Sequence, residues 1–134
     1  MMIVKKYKDL SNKEIHQIFQ ARSEVFVVEQ ECVYQDIDNK DLDAYHCFIM
    51  DDKDKVIAYL RILDKGVSYK DAPSIGRVLV TSPYRKKEYG KAIMNEAIHY
   101  LLDVLKETKI IISAQQYLTA FYTSFGFKQV GDAY

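Results

Sequence analysis

The sequence predicts one α/β (α+β) domain, in which a mixed β-sheet carries helices on both faces. Three observations indicate this fold. The chain has 134 residues, which is a usual length for one domain. Its hydrophobic share of 49% can supply a buried core. Strand-like and helix-like segments follow one another in the order β-α-β-β-β-α-β-α-β, which is typical of a mixed sheet covered on both sides.

The first half of the chain contains one predicted helix among short strands. A strand is expected over residues 2–7. Ser11 and Glu14 have the spacing of a capping box, and apolar residues at helical spacing follow, with Arg22 near the edge of their face. Residues 46–50 and 56–63 are strand-like and are joined by the polar sequence DDKDK, which predicts an antiparallel hairpin.

The second half predicts strands and helices in alternation. A strand over 74–80 is expected to stop before Pro83, because proline cannot donate to a sheet ladder. Residues 90–106 have an apolar stripe at helical spacing, and residues 110–113 are fit for a buried strand. A short helix over 118–125, closed by Gly126, and a last strand over 127–130 complete the prediction.

The composition argues against several classes of protein. Nineteen basic and 19 acidic side chains give a formal net charge of zero, so a general nucleic-acid binder is not expected. Cys32 and Cys47 lack the spacing of zinc ligands, and we expect free thiols and no metal. The apolar start is too short for a signal peptide, and no run has transmembrane length. We therefore expect a cytoplasmic protein with no membrane partner.

Residues 29–43 break the pattern of regular structure. This segment contains six acidic residues and one lysine, and it is predicted to be an exposed loop. Its charge would either attract a cationic amine or belong to an ordinary solvated loop, and the sequence leaves both open.

A basic loop between a strand and a helix carries the clearest chemical signal. The strand ends near Val80, and the helix begins at about Gly90. Free backbone N–H groups and the positive end of the helix dipole at this point suit a pyrophosphate. Basic side chains surround it at Arg85, Lys86, Lys87 and Lys91. The alternative is a solvated basic turn before an ordinary helix.

The motif Arg85-x-x-x-x-Gly90 resembles the R-x-x-G-x-G/A signature of the GNAT acetyltransferases. About thirty residues later, Gln115 precedes a Phe121-Tyr122 pair and a Gly126-Phe127 pair, as is typical of that family. More narrowly, the chain is similar to the small bacterial ElaA-like subgroup. The further matching positions are Arg22, Val25 to Gln30, Tyr34, Asp36, Asp38, Asp41, His46, Ile75 to Val78, and Ser113 to Gln115.

The resemblance implies a mostly antiparallel GNAT sheet and an acetyl-CoA-dependent N-acetyltransferase. The acetyl group would pass by direct attack to a primary amine of a small molecule or protein. The expected coenzyme-binding residues are Val78, Leu79, Val80, Arg85, Lys86, Lys87, Glu88, Tyr89, Gly90, Lys91, Gln115, Phe121 and Tyr122.

Catalytic roles follow from the same resemblance. The N–H of Val80 would stabilise charge on the carbonyl oxygen, and Tyr122 would be the general acid that protonates the leaving thiolate. The general base stays open between His46, Glu29, Asp36 and a chain of water molecules. Arg77 would either shape the acceptor pocket or pair with an acidic neighbour.

Two features depart from the family pattern. Glu88 stands at the first glycine of the signature, in a loop conformation that favours glycine. ElaA-type proteins continue past the position of Tyr134, so we expect residues 1–134 to form a single GNAT domain lacking the final strand. The resulting open edge predicts association, for example as a homodimer. Both features favour the alternative function, a non-catalytic acyl-CoA-binding or protein-interaction module.

Overall fold

The computed structural model describes residues 2–112, and every structural statement below refers to them. One five-stranded sheet has the strand order β1-β2-β3-β4-β5. The first four strands are antiparallel, and β5 joins β4 in parallel. The predicted mixed, mostly antiparallel sheet is therefore confirmed. The strands are β1 (Ile3–Lys6), β2 (Tyr45–Met50), β3 (Val56–Leu63), β4 (Ser74–Val80) and β5 (Ile111–Ile112).

Two α-helices cover opposite faces of this sheet. They are α1 (Asn12–Arg22) and α2 (Tyr89–His99), and each continues without a break into a π-helical segment, over Ser23–Glu29 and Tyr100–Val104. Ile18 of α1 shares a buried cluster with Phe48, whereas Met94 of α2 shares another with Cys47. Because successive strand residues point to opposite faces, neighbouring positions on β2 supply the two cores.

The sequence located most of these elements. Strands β3 and β4 have the predicted bounds, and Ser11 caps α1 with both hydrogen bonds of the capping box. The apolar stripe predicted for the second helix included Leu102, and this part of the prediction was wrong because Leu102 is 43% exposed. The π-helical segment explains this, because its wider turn rotates later residues away from an α-helical stripe. Ser113, the helix predicted over 118–125 and the last strand over 127–130 lie outside the described residues.

Strand β4 contains an irregularity that the sequence did not predict. Its pairing with β3 passes from Leu79–Tyr59 to Gly76–Arg61, so one residue of β3 faces two of β4. Arg77 lies in this bulge with a φ of 53°, in the left-handed region. A bulge of this kind bends a strand and re-aims its side chains, and here it lies beside the functional site.

None of the helices between residues 2 and 112 has the length and apolar character that crossing a bilayer demands.

Candidate active site

The end of β4 presents an open edge. The Thr81 amide donates to the Ile57 carbonyl at 2.9 Å, so the hydrogen-bonding groups of Thr81 face β3. By the alternation of an antiparallel ladder, the N–H and C=O of Val80 and the C=O of Val78 point away from β3. In the described part of the chain, β5 pairs with β4 only at Ser74 and Ile75. This edge can therefore accept an extended ligand.

Leu79, also predicted to line the coenzyme site, faces the other way. It pairs with Tyr59, and its side chain is buried in the core on the α1 side. Its backbone groups therefore belong to the ladder with β3, and Val78 and Val80 provide the free backbone groups of this strand.

The loop after β4 leads into a helix whose start is uncapped. Lys86 and Glu88 have φ values of 66° and 64°, the left-handed conformation that favours glycine. Glu88 is the N-cap residue of α2, but its side chain makes no capping hydrogen bond. The first intrahelical bond runs from the Ala92 amide to the Glu88 carbonyl at 3.0 Å. The preceding N–H groups of the first turn remain open for a ligand.

A groove of about 430 Å³ lies over this helix start. Seven of its eight lining residues were among the predicted coenzyme-binding positions, and Tyr84 is the eighth. The lining residues are Val80, Tyr84, Arg85, Lys86, Glu88, Tyr89, Gly90 and Lys91. Lys87, also predicted, is exposed and lies with its Nζ 5.8 Å from the centre of the Tyr84 ring.

Tyr84 was missed from the sequence, although it directly precedes the basic motif. Its hydroxyl donates to the Asp51 carboxylate at 2.8 Å, and this bond raises the pKa of Tyr84 above its usual range. Its ring meets that of Tyr89 edge-on, with 5.8 Å between centroids. Tyr84 therefore joins the hairpin after β2 to the first turn of α2.

The groove suits the phosphates of a coenzyme. It combines open helix N–H groups with exposed cationic side chains, and two left-handed residues shape the loop so that its backbone can approach an anion. Glu88 does not block it: the side chain is 78% exposed, and its carboxylate lies 3.8 Å from Lys91 Nζ. The backbone thus keeps a left-handed conformation that favours glycine, with glutamate at this position.

Arg85 makes two contacts across the groove. Its Nε donates to the outward-facing Val80 carbonyl at 2.9 Å, and its Nη2 lies 2.5 Å from Glu29 Oε1. Glu29 is the last residue of the π-helical segment after α1. One predicted coenzyme ligand is thus paired with one of the predicted bases.

His46, another predicted base, is completely buried. Nε2 lies 2.8 Å from the Asp41 carbonyl and Nδ1 lies 2.7 Å from the Tyr59 hydroxyl. Because a carbonyl only accepts, Nε2 carries the proton and Nδ1 accepts from Tyr59. Burial, which outweighs the contacts with Asp41, lowers the pKa of His46. Both nitrogens are engaged, so the structure argues against His46 as the base and favours a structural role.

The acidic segment is mostly exposed and irregular, as the sequence predicted, but two of its carboxylates are not solvated. Asp36 and Asp41 are buried, and both pair with Arg22, which is itself completely buried rather than at the edge of its helix face. Arg22 Nε donates to Asp36 at 2.9 Å, and Nη1 donates to Asp41 at 2.7 Å. Asp36 is therefore also a poor candidate for the base.

Two further arginines complete this buried network. Arg61 Nη1 donates to Asp38 at 2.7 Å and to Asp41 at 2.9 Å. Arg77, in the β4 bulge, places Nε 2.8 Å from Asp36 Oδ1. Burial alone would raise the pKa of Asp41, but hydrogen bonds and charge from Arg22 and Arg61 outweigh it and hold that pKa below its usual range.

The arginine network was missed, although one signal was available. Arg61 lies in the sequence VIAYLRIL, where every other residue is apolar or Tyr59. A charge inside a buried strand requires a partner of opposite charge, and the acidic segment is the obvious source. Asp36, Asp38 and Asp41 are thus paired with arginines. Electrostatic steering of a cationic acceptor by these three carboxylates is therefore not favoured.

Several predicted residues lie beyond what the structure describes, namely Gln115, Phe121 and Tyr122. Cys47 is buried, and burial raises the pKa of its thiol, which makes it unreactive. Between residues 2 and 112, no cluster of three or more His, Cys, Asp or Glu side chains is placed to hold a metal ion.

Comparison with known proteins identifies the family of this chain. The family model of the acetyltransferase (GNAT) domain matches residues 6–134. The chain therefore belongs to the GNAT acetyltransferase family.

Within this family the chain is similar to ElaA. Protein ElaA of Escherichia coli is 36% identical over 129 residues, which cover 96% of this chain and 84% of ElaA. The crystal structure of E. coli ElaA has a TM-score of 0.90 and covers all of this chain and 91% of that one.

Two further proteins are about equally similar. A crystal structure of an acyl-CoA N-acyltransferase from Pseudomonas aeruginosa is 37% identical, with a TM-score of 0.92, and covers 100% of this chain and 92% of that one. UPF0039 protein sll0451 of Synechocystis is 37% identical and covers 96% of this chain and 83% of its own length. The ElaA-like resemblance expected from the sequence is thus confirmed.

Proposed function

We propose that this protein is an acetyl-CoA-dependent N-acetyltransferase that acetylates a primary amine by direct attack. The observation that carries the proposal is the groove at the start of α2, where an uncapped helix end, exposed cations and the outward edge of β4 meet. These are the features needed to hold an anionic, extended acyl donor. The acceptor would be an amine of a small molecule or of a protein.

The coenzyme would contact two parts of the groove. The N–H groups of Tyr89, Gly90 and Lys91 begin α2 and would hold the phosphates, with added charge from the neighbouring lysines. The outward groups of Val78 and Val80 would pair with the amide-containing arm, because no strand of the described residues pairs with this part of β4. Acetyl-CoA, when bound, supplies a thioester carbonyl that an amine can attack.

The chain's own groups would then assist the attack. The N–H of Val80 would stabilise negative charge as it develops on the carbonyl oxygen. Tyr122 stays the predicted general acid for the departing thiolate. A covalent enzyme intermediate is not part of the proposal, because Cys47 is buried with a raised pKa and Cys32, though exposed, does not line the groove.

Glu29 remains the best of the three residues predicted as the base. Its carboxylate is near the surface and reaches Arg85 at the groove, whereas both ring nitrogens of His46 are engaged. A water chain is the other route for the proton of the amine. We expect this reaction to take place in the cytoplasm.

Two measurements test the proposal. Calorimetric titration with CoA should give saturable, one-to-one binding, and an amine panel with acetyl-CoA should then give an acetylated product. Tyr122→Phe should lower turnover strongly while leaving CoA affinity nearly unchanged, because a general acid acts on the leaving group. No CoA binding at millimolar concentration, in a folded protein, would contradict the proposal.

One observation favours the alternative, a non-catalytic acyl-CoA-binding or protein-interaction module. Glu88 takes a left-handed conformation at the helix start and places a carboxylate near the expected phosphates. CoA binding with no acetylation of any amine, and no effect of Tyr122→Phe, would support this alternative. The homodimer and the single-domain organisation of residues 1–134 also stay predictions, and sedimentation of the purified chain tests the first.

A further inference from the structure

Arg85 joins two separate elements at the mouth of the groove. Its guanidinium bridges the Val80 carbonyl at the end of β4 and the Glu29 carboxylate at the end of the segment after α1. Val80 and Glu29 are 51 residues apart in sequence. The bridge therefore links the end of β4 to the end of the segment after α1. The side chains of Arg85 and Glu29 are 43% and 27% exposed, so the pair is open to exchange with a ligand.

The bridge uses a group that the coenzyme also requires. The Val80 carbonyl points away from β3, and it is an acceptor that an extended, amide-containing arm would use on this edge. The Arg85 Nε–H occupies that acceptor. At the same time the Arg85 guanidinium pairs with the Glu29 carboxylate. The phosphates that would also attract this charge would lie at the other end of the loop between β4 and α2.

We propose that Glu29 sets coenzyme affinity through Arg85, as a positioning residue that holds this arginine across the groove until CoA displaces it. This inference rests on the proposed function, since it takes CoA as the ligand. Binding would transfer Arg85 from Val80 and Glu29 to the phosphates. Glu29 would then be released beside the groove only when the acyl donor is present.

The expected size of the effect follows from the exposure of the pair. An exposed ion pair is worth a factor of about two to five in an equilibrium constant. Glu29→Gln should therefore tighten CoA binding about threefold, because the competing partner of Arg85 is lost. Removal of a negative charge also reduces general repulsion of the phosphates, so the single substitution alone does not separate the two causes.

A double-mutant cycle separates them. CoA is titrated calorimetrically into the wild type, Glu29→Gln, Arg85→Gln and the double variant at one low ionic strength. We expect Glu29→Gln to tighten binding in the wild type and to have an effect of less than about 1.5-fold when Arg85 is absent, because the coupling requires both partners. Glu24→Gln is the matched control: it removes the same charge from the same exposed segment and should leave affinity unchanged.

The outcomes are distinct. Equal tightening by Glu29→Gln in both Arg85 backgrounds would mean general repulsion and would overturn the inference, while the proposed function would stand. Absence of CoA binding to the wild type would overturn the proposed function and the competition together. A second measurement follows the Arg85 Nε–H by ¹⁵N NMR: saturating CoA should shift it, and an unshifted signal would also overturn the inference.

Discussion

The two helices of this fold begin in opposite ways. At the start of α1, Ser11 Oγ accepts from the Glu14 amide at 3.0 Å, and Glu14 accepts from the Ser11 amide at 2.8 Å. At the start of α2, Glu88 has a left-handed backbone and caps nothing with its side chain. The α1 start is thus closed by the chain itself, whereas the α2 start is available to a ligand.

The charges that accompany the two helices differ in the same way. Arg22, at the end of α1, is completely buried and is neutralised by Asp36 and Asp41. Lys86 and Lys87, before α2, are exposed. Cationic side chains near a helix can therefore have two different roles. Those paired with buried carboxylates stabilise the fold. Those around an uncapped helix start favour the binding of an anion.

The largest expected effect comes from breaking the buried network. Arg22→Met should destabilise the fold by about 3–5 kcal/mol, because it leaves Asp36 and Asp41 as buried carboxylates without this partner. Chemical denaturation measures this loss. Arg85→Met, at an exposed arginine, is the control and should cost no more than about 0.5 kcal/mol. A loss below about 1 kcal/mol for Arg22→Met would contradict the structural role of the network.

Neutralising the α2 start should affect binding instead of stability. Replacing Lys87 and Lys91 together by Gln should weaken CoA binding about tenfold at low salt, because charge-assisted contacts to phosphate are lost. The free energy of unfolding should change little. The control replaces Lys8 and Lys109, two exposed lysines away from the groove, and should leave CoA affinity unchanged. Equal effects of both pairs would contradict a localised phosphate site.

Removing the α1 cap should have the reverse outcome. Ser11→Ala should cost about 1 kcal/mol of stability, because the Glu14 amide loses its acceptor. CoA affinity, measured by titration below the unfolding transition, should stay the same. Ser11→Asp keeps a cap and should retain most of the stability. A change in CoA affinity with Ser11→Ala would contradict the claim that only the start of α2 takes part in binding.

The pH dependence of stability should reflect the burial of His46. Burial lowers its pKa in the folded protein, so the unfolded chain binds the proton more readily. The contribution of neutral His46 to the free energy of unfolding should be fully present above the unfolded pKa of about 6.5. It should be lost as the pH drops toward the folded pKa, with a slope of less than about 1.4 kcal/mol per pH unit. Urea titrations between neutral and mildly acidic pH measure this slope.

Two variants assign the slope to its source. His46→Gln should flatten it, whereas His99→Gln, at an exposed histidine, should leave it in place. A slope that survives His46→Gln would contradict the assignment.

The smallest expected effect concerns Glu88. Glu88→Gly should stabilise the fold by about 0.5–1 kcal/mol, since relief of the left-handed strain exceeds the added entropy of the unfolded glycine. Glu88→Ala keeps the strain and removes the charge, so it should tighten CoA binding without the gain in stability. An equal gain in stability with Glu88→Ala and Glu88→Gly would show that the charge of Glu88, and not its left-handed backbone, destabilises the fold.

Local patterns were enough to predict most of the described strands and helices and the basic loop before α2. The capping box at Ser11, the apolar strands and the basic motif before Gly90 are each short stretches whose physics depends on neighbours in sequence. The seven groove-lining residues that were expected came from that basic motif together with the resemblance to the GNAT family.

What depends on contacts between distant residues could not be predicted in the same way. The burial of Arg22 depends on Asp36 and Asp41, and the hydrogen bond that engages His46 Nδ1 depends on Tyr59. The bulge at Arg77 requires knowledge of the β3–β4 register. Each of these is decided by tertiary packing, which overrides the local tendency of the segment.

Titration of the purified protein with CoA tests the central claim most directly, with Ser11→Ala and the Lys87, Lys91 double variant measured beside the wild type. The account predicts saturable one-to-one binding that Ser11→Ala leaves unchanged and the double lysine variant weakens about tenfold. No binding to the folded wild type at millimolar CoA, or binding that is indifferent to both lysines, would contradict it.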